Sequence, residues 1–450
     1  MHAMIDRRHL LLGSLAGAAA FAAPVRAAPL SGTGLDAAQF GVRPGAPDDQ
    51  SAKLQRAIDQ AARRRVPLML APGRYFARDL KLTSGAQIMG VRGATRLSLT
   101  QGPSLIASER ADTVTLSGLV LDGGGKALPQ GRGLVHLVGA RSLRISDCEI
   151  LGAGGNGVSL VHCDGAVTGT TINDAADNAL FCVDNTGLVI SANTIRRSGN
   201  GGIRVWQSEQ RDDGSIVADN RIEDTRAKSG GTGENGNAIN VFRAGNVIVR
   251  NNVIRKAAFT AVRGNAASNI QIVGNNCAEL GEVAIYSEFG FLGAVIADNI
   301  VVGAQSGVSV TNFNNGGRFA TVHGNLLRDL KVRRAGTRPE DGGIGIAIEA
   351  ETTVTGNVIE NAATAGIRAG WGAYLRNVTI SGNVVRNAGA GIEVSVANGA
   401  RDAVISGNII SGAKRGAVLG MEWYKAVSGD LTQEGATRYP QLTVANNQVR

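Results

Sequence analysis

The sequence predicts an all-β protein, a parallel β-helix of about twelve stacked coils, and three observations lead there. A phrase of the form apolar-x-apolar-x-x-Asn-x-apolar recurs at intervals whose floor is about 22 residues. Each recurrence is followed by a short strand of alternating pattern that opens on glycine or alanine. Asparagine, absent from residues 1–155, occurs 31 times in residues 156–450, so the second part of the chain is built on a different rule. Composition agrees: glycine is frequent, with 62 of 450 residues, and aromatics make up only 4%. Small residues turn the chain where large ones would pack a globule.

Taken in chain order, the first element is not part of the fold. Arg7 and Arg8 precede an uncharged stretch from Leu10 to Ala23, and Val25-Arg26-Ala27 has the small-x-small form of a cleavage site. Residues 1–27 therefore resemble a twin-arginine (Tat) export signal, which implies the Tat export machinery as a partner and a periplasmic or secreted mature chain. Residues 28–450 form a single β-helix domain in this reading, with 28–65 an N-terminal cap region and 66–450 the coils. In the cap region, Asp48-Asp49 precede a helix whose apolar positions Ala52, Leu54, Ala57, Ile58 and Ala61 form one stripe ahead of Arg63-Arg64-Arg65. Placed on the first coil, it covers strand edges that would otherwise be open.

The repeat follows. Its asparagines are Asn193, Asn220, Asn252, Asn276, Asn299, Asn325, Asn357, Asn383, Asn408 and Asn447, with Cys148 and Thr170 in the same slot earlier. A unit this short cannot bury its apolar face alone, so neighbouring coils supply the core. Helical repeats would need an i, i+3, i+4 pattern and leucine-rich repeats an LxxLxL pattern, and neither is present. Asparagines returning at one bend can hydrogen-bond from coil to coil, which explains them better than a set of ligands.

Two further features carry the resemblance to a family. Phe40-Gly41-Val42, Asp48-Asp49, Gln55, Ala57-Ile58-Asp59 and Leu70-Ala71-Pro72-Gly73-Arg74-Tyr75 look like the start of pectin-lyase-like right-handed parallel β-helix proteins. Together with the signal and the asparagine repeat, the whole chain resembles an uncharacterised twin-arginine-translocated repeat family within that superfamily. The resemblance implies the fold and its right-handed winding. It does not fix the chemistry, because the superfamily contains lyases, hydrolases, epimerases and binders. The Asp-Asp and Gly-His-Gly set of polygalacturonases, the Asp-Pro-His-Glu of alginate epimerases and the Arg-x-Pro-x-x-Arg of pectate lyases are all missing, so no family active site carries over.

Alternation along the Gly-Ile strands turns Ile203 and Val205 inward and Arg204 and Trp206 outward. Stacking the repeats gives two outward columns. The first runs Ser159, Phe181, Arg204, Asn240, Arg263, Tyr286, Ser309, Ala347, Arg368, Glu393. The second runs Val161, Val183, Trp206, Phe242, Asn265, Glu288, Thr311, Glu349, Gly370, Ser395. Insertions on both sides, at 207–215, 311–318 and 370–377 after the strand and 224–236 and 329–343 before it, would wall a groove over these columns.

The groove's chemistry suits an acidic polysaccharide, consistent with a net charge of +9 for the whole sequence and +7 once Asp6, Arg7, Arg8 and Arg26 leave with residues 1–27. Trp206, Phe242, Tyr286 and Trp371 offer ring faces, and Arg204, Arg263 and Arg368 offer guanidinium groups for carboxylates; Glu288, Glu349 and Glu393 complete the substrate-binding set. For a uronate lyase acting by β-elimination, Arg263 and Asn240 would neutralise the carboxylate and Tyr286 would be the base, its pKa lowered by the nearby cation. An inverting glycoside hydrolase would instead use Glu288 and Glu349, two coils and about 9.6 Å apart. A non-catalytic binding or scaffolding protein of the cell envelope would use the same face. Scattered basic residues without a Lys/Arg stripe argue against nucleic acid, and no stretch after the signal is apolar enough for a membrane anchor.

The remaining motifs are structural. Cys148, Cys163, Cys182 and Cys277 lack zinc spacing and read as small buried hydrophobes. His136, His162 and His323 stand apart from one another. Leu119–Gly125 lacks the lysine of a phosphate loop, so it reads as a coil turn. Asp177 and Asp184 lie near turns where calcium could be imagined, without an EF-hand or nonapeptide pattern, so no cofactor and no metal are expected.

Overall fold

A computed structural model describes residues 34–231, 233–333 and 335–450 of the chain. The export-signal assignment to residues 1–27 lies outside the described residues. Residues Gly34–Arg450 form one compact unit, an all-β right-handed parallel solenoid of about fourteen turns.

Each turn contributes three strands rather than the two expected. The asparagine phrase is itself two strands joined at a bend: Leu143–Ser146 and Glu149–Leu151, for example, flank Cys148, and Asn156–Val161 follows as the third. Three parallel sheets result. Sheet 1 has 16 strands from Leu35–Asp36 to Leu442–Ala445. Sheet 2 has 15, from Gly73–Ala77 to Gln448–Val449, and sheet 3 has 15, from Leu80–Leu82 to Lys425–Asp430. The turns beyond the twelve expected are wound by residues before Cys148, where the bend is made without asparagine and so leaves no repeat to count.

The core is a set of aliphatic stacks. Leu160, Cys182 and Val205 pair in register, as do Ile150, Ile172 and Ile195, all at most 1% exposed. Period-2 alternation puts one face of each short strand inside, and the coil above covers what one coil cannot. All four cysteines are free and buried in this interior.

At the bend between sheets 1 and 2 the asparagines form the expected ladder. Asn299 shows the repeating rung: its Oδ1 accepts from the backbone N–H and the Nδ2 of Asn275 at 2.9 and 3.0 Å. Its own Nδ2 donates to Ile272 O at 2.9 Å and to Asn325 Oδ1 at 3.0 Å. One rung differs from expectation, because Asn275 occupies the slot and Asn276 is the first residue of the next strand, paired with Val253. Adjacent asparagines are indistinguishable to a spacing rule with a one-residue tolerance. Thr170 and Cys148 continue the ladder upward, Thr170 N–H donating to Asn193 Oδ1 at 2.9 Å.

The helix Ser51–Arg64 packs on the strands Leu80–Leu82 and Ala86–Met89 at the first coils. It buries Leu54, Ala57, Ile58, Ala61 and Ala62, whereas Ala52 is exposed, one position off the stripe. The N-cap residue is Gln50 rather than an aspartate; Asp49, one residue earlier, accepts from Ser51 N–H at 2.9 Å, and Asp48 pairs with Lys53 at 3.0 Å. At the other end the parallel stack of sheet 3 stops in an antiparallel hairpin, Val418–Glu422 with Lys425–Asp430. No helix among the described residues is long and apolar enough to cross a membrane.

Candidate functional site

Both outward columns exist on sheet 3 in the expected register. Phe181, Arg204, Asn240, Arg263, Tyr286 and Ser309 pair strand to strand, and so do Val183, Trp206, Phe242, Asn265 and Glu288. The insertions behave less uniformly. Residues 207–212 are not a loop but continue the strand Gly201–Asp212 past an irregularity after Trp206, and Gln210 reaches Ser268 Oγ and Gly290 O.

Pointing outward does not leave these side chains in solvent. Arg204 is 4% exposed, Asn240 2%, Arg263 6%, Glu288 4%, Glu349 8% and Glu393 1%. Covering loops and opposite charges account for this, because a buried charge needs a partner. Arg263 Nε donates to Glu288 Oε1 at 2.6 Å, its Nη1 lies 3.5 Å from Glu282 Oε2, and its guanidinium sits 4.7 Å from the Tyr286 ring centre. Arg368 Nε donates to Glu393 Oε2 at 2.7 Å and its Nη1 to Glu340 O at 2.9 Å, while Arg415 takes the other oxygen of Glu393. Arg204 bonds Asn235 Oδ1 at 2.6 Å and lies 3.5 Å from Glu234. Burial lowers its pKa from the usual arginine value, against the pull of Asp177 and Glu234. The three arginines expected to grip a ligand's carboxylate are thus already engaged by the protein's own groups.

The expectation for Tyr286 is reversed. Its pKa is raised, first by burial and then by Glu282 and Glu288, and the opposing effect of Arg263 is smaller. The sequence placed Arg263 and Glu288 near the phenol but could not show its burial or the second carboxylate, Glu282.

Glu349 is the most perturbed carboxyl of the face. It follows the strand Ile344–Ile348, two strands on from Val283–Glu288, under the short 3-10 turn Phe313–Asn315. Its Oε2 accepts from Phe313 N–H at 2.6 Å, yet burial outweighs that bond and the neighbouring Asn312 backbone and pushes its pKa up to about 7. Glu288 takes a second bond from Asn265 Nδ2 at 3.1 Å.

An open recess lies one coil before this charged cluster. Trp206 stands between Phe181 and Phe242, edge to face with each at 5.6 Å. Its indole N–H donates to Asn240 Oδ1 at 3.3 Å, and Asn240 Nδ2 donates to Gly233 O at 2.9 Å, fixing the loop above. Trp206, Phe242, Asn240, Asn265, Gly233 and Glu234 line a cavity of about 280 Å³. Trp371 sits apart, more than five strands along.

The other sequence candidates fall outside this cluster. Asp177 accepts from Asn200 Nδ2 at 3.0 Å, and Asp184 accepts from Ser208 N–H at 2.8 Å and Ser208 Oγ at 2.6 Å. No group of three or more His, Cys, Asp or Glu side chains among the described residues could hold a metal ion. His136 stands in the first column one coil before Ser159, and burial holds its pKa down at about 4. Sequence reasoning missed Glu234, Asn235, Glu282 and Arg415. They lie outside the repeating columns, so no periodic slot marked them.

A family profile described as the right handed beta helix region matches residues 106–222 and 315–449, more than half of the chain. Among solved structures, the catalytic unit of a thermostable alpha-1,3-glucanase from Streptomyces thermodiastaticus is 15% identical over 93% of this chain and 68% of that chain, with a TM-score of 0.45. A mannuronan C-5 epimerase A-module from Azotobacter vinelandii is 14% identical over 92% and 99%, TM-score 0.42. A surface adhesin of Streptococcus pneumoniae is 14% identical over 86% and 91%, TM-score 0.41. At these identities the likeness is one of fold. No curated protein matches the chain.

Proposed function

The chain belongs to the right-handed beta helix family, and on that scaffold we propose that the outer face of sheet 3 is a groove binding an acidic polysaccharide. The observation that carries this is the cavity of about 280 Å³ between Trp206 and Phe242, rimmed by Asn240, Asn265 and Glu234. Aromatic walls stack on the C–H face of a pyranose, while amides and a carboxylate exchange hydrogen bonds with its hydroxyls. Residues 28–450 carry a net charge of +7, the +9 of the full sequence less the +2 of Asp6, Arg7, Arg8 and Arg26, and this favours a polyanion over a neutral chain as the long-range partner.

Of the two reactions open to such a ligand, hydrolysis is better supported than β-elimination. Elimination on Tyr286 would need a phenolate where burial and two carboxylates oppose one. Hydrolysis needs one carboxyl that keeps its proton near neutrality and a second carboxylate to activate water. Glu349, held at about 7, fits the acid, and Glu288 beside Arg263 fits the base. Their two-strand separation, about 9.6 Å, is near the upper end of the inverting range. The Phe313–Asn315 turn would have to lift to admit substrate to Glu349.

The test is calorimetric titration of the protein with polygalacturonate, alginate and a neutral glucan, followed by assays of reducing ends and of the ultraviolet absorbance of unsaturated uronates. Binding to a polyuronate that Trp206→Ala weakens at least about tenfold is the expected result, with reducing ends released by the wild type and not by Glu349→Gln. Unsaturated products would restore the elimination reading. Binding without any product would leave the face a non-catalytic envelope binder or scaffold. Unaltered affinity in Trp206→Ala would remove the groove altogether. We further infer that residues 1–27 are a Tat signal and that residues 28–450 work as one domain in the periplasm or outside the cell.

A further inference from the structure

The chain has three tryptophans, and the Trp206 cavity accounts for one. The other two lie on the same sheet. Trp371 follows the strand Ala365–Ala369, and Trp423 occupies the tip of the hairpin that joins Val418–Glu422 to Lys425–Asp430. Their rings meet edge to face at 5.4 Å, and Tyr424 packs on Trp371 at 4.3 Å. Every tryptophan in the protein is therefore on the outer side of sheet 3, at one of two stations.

The second station is built in a way that core packing does not require. Trp423 is 51% exposed, although indole is the side chain with most to gain from burial. Its backbone is left-handed, φ 54°, a conformation that a bulky L-residue retains where the surroundings hold it. The surroundings do so. A Cβ on Gly372 would lie 2.3 Å from the Trp423 ring, so only glycine lets the indole lie against this backbone. The Tyr424 hydroxyl donates to Asp341 Oδ1 at 2.7 Å and contacts Arg338, tying the hairpin tip to the turn Pro339–Asp341. Beside the aromatic cluster, Tyr424, Arg368, Arg415, Glu393, Glu340 and Thr364 line a second cavity, of about 190 Å³. Ring faces and adjoining polar groups are the same combination found at Trp206, which is itself half-buried.

We propose that Trp371, Trp423 and Tyr424 form a second ring-stacking subsite of the sheet 3 groove, so that the ligand is a long chain engaging both stations at once. This rests on the reading of sheet 3 as a glycan groove. Six strand steps separate the Trp206 strand from the one that precedes Trp371, and eight from the one that precedes Trp423, about 29–38 Å along the solenoid at ~4.8 Å per step. If each sugar unit advances by roughly one strand spacing, about six to eight units reach from one station to the other. A shorter oligomer occupies one station only. Joining two weak contacts in one molecule multiplies affinity without any new contact, provided the chain spans the gap.

The experiment uses the full chain carrying 5-fluorotryptophan, whose three fluorine resonances are assigned from single Trp→Phe variants. Oligogalacturonates of about three and about twelve units, below and above the ~29–38 Å span, are titrated in turn. The long oligomer is expected to shift all three resonances and to bind at least about tenfold more tightly than the short one. Trp423→Ala should lower the long oligomer's affinity to that of the short one and leave the short oligomer's effect on Trp206 unchanged. Trp423→Phe should recover part of the difference, and superimposable circular dichroism melts exclude a folding defect. A long oligomer that moves only Trp206, or an affinity independent of length, overturns the two-station inference alone. If no oligomer moves Trp206, the groove reading itself fails and this one with it.

Discussion

Replacing Glu349 by glutamine should make the protein more stable at alkaline pH and change little in acid. In the folded chain this carboxyl holds its proton up to about 7, because burial disfavours the charged form more than the Phe313 and Asn312 backbone groups favour it; its ordinary value is 4.5. Below pH 4.5 both folded and unfolded chains carry the proton, and the group contributes nothing to the difference between them. Between 4.5 and 7 the unfolded chain loses the proton and the folded chain keeps it, so stability falls as pH rises, levelling off above 7. The full drop is about 3 kcal/mol at 1.36 kcal/mol per pH interval of displacement. Glutamine cannot ionise and still offers an oxygen to Phe313 N–H, so the variant lacks this drop. Urea unfolding of both proteins at pH 4.5, 6 and 8 measures it: the advantage of Glu349→Gln should grow by about 3 kcal/mol across that range. A difference that stays constant with pH would refute the assignment of a retained proton to Glu349, and with it the general acid of the hydrolytic reading.

Two other outcomes follow from the same structure, and a third from the sequence of residues 1–27. Asn299→Ala should cost about 2–6 kcal/mol, since it strands the buried Asn275 N–H and Ile272 C=O at about 1–3 kcal/mol each. Asn447→Ala, on the last and partly exposed rung, should cost about 1 kcal/mol or less because water replaces the lost bonds, and equal losses in urea melts would contradict the ladder account. The four thiols should fail to react with a disulfide reagent at pH 8 until denaturant is added. Burial raises all of them, Cys148 to about 11 and Cys277 to about 12, and a single fast thiol in the native protein would be inconsistent with this. Changing Arg7 and Arg8 together to lysine should trap the full-length protein in the cytoplasm, judged by fractionation and by the mass of its N-terminus; undiminished export would reject the Tat assignment.

The two columns on sheet 3 were legible because they depend only on period-2 alternation and on a constant coil length, and both are written in the residues between Gly202 and Ser395. The pairing of Arg204 with Asn240, Arg263 and Tyr286 in successive strands required nothing else. Burial on that face was not legible. It depends on where the insertions fold back, and Glu234, Asn235 and Glu282 have no slot in the repeat from which their position could be computed. The same gap inverted the expectation for Tyr286, whose neighbours Arg263 and Glu288 had slots in the columns and whose burial and neighbour Glu282 did not. The ladder position at Asn275 shows the limit of spacing arguments when identical residues are adjacent.

By itself the sequence determined the solenoid, the asparagine bend, the cap helix and the order of side chains along the groove, since each is a local pattern repeated at a fixed interval. The tertiary structure alone decided which of those side chains are covered, which charges cancel, that burial raises the pKa of Glu349, and that tryptophans 52 residues apart in the chain, Trp371 and Trp423, touch. The physical reason is range. Alternation and stacking are nearest-neighbour properties, whereas desolvation and charge pairing depend on every atom nearby, including those delivered by loops that obey no period.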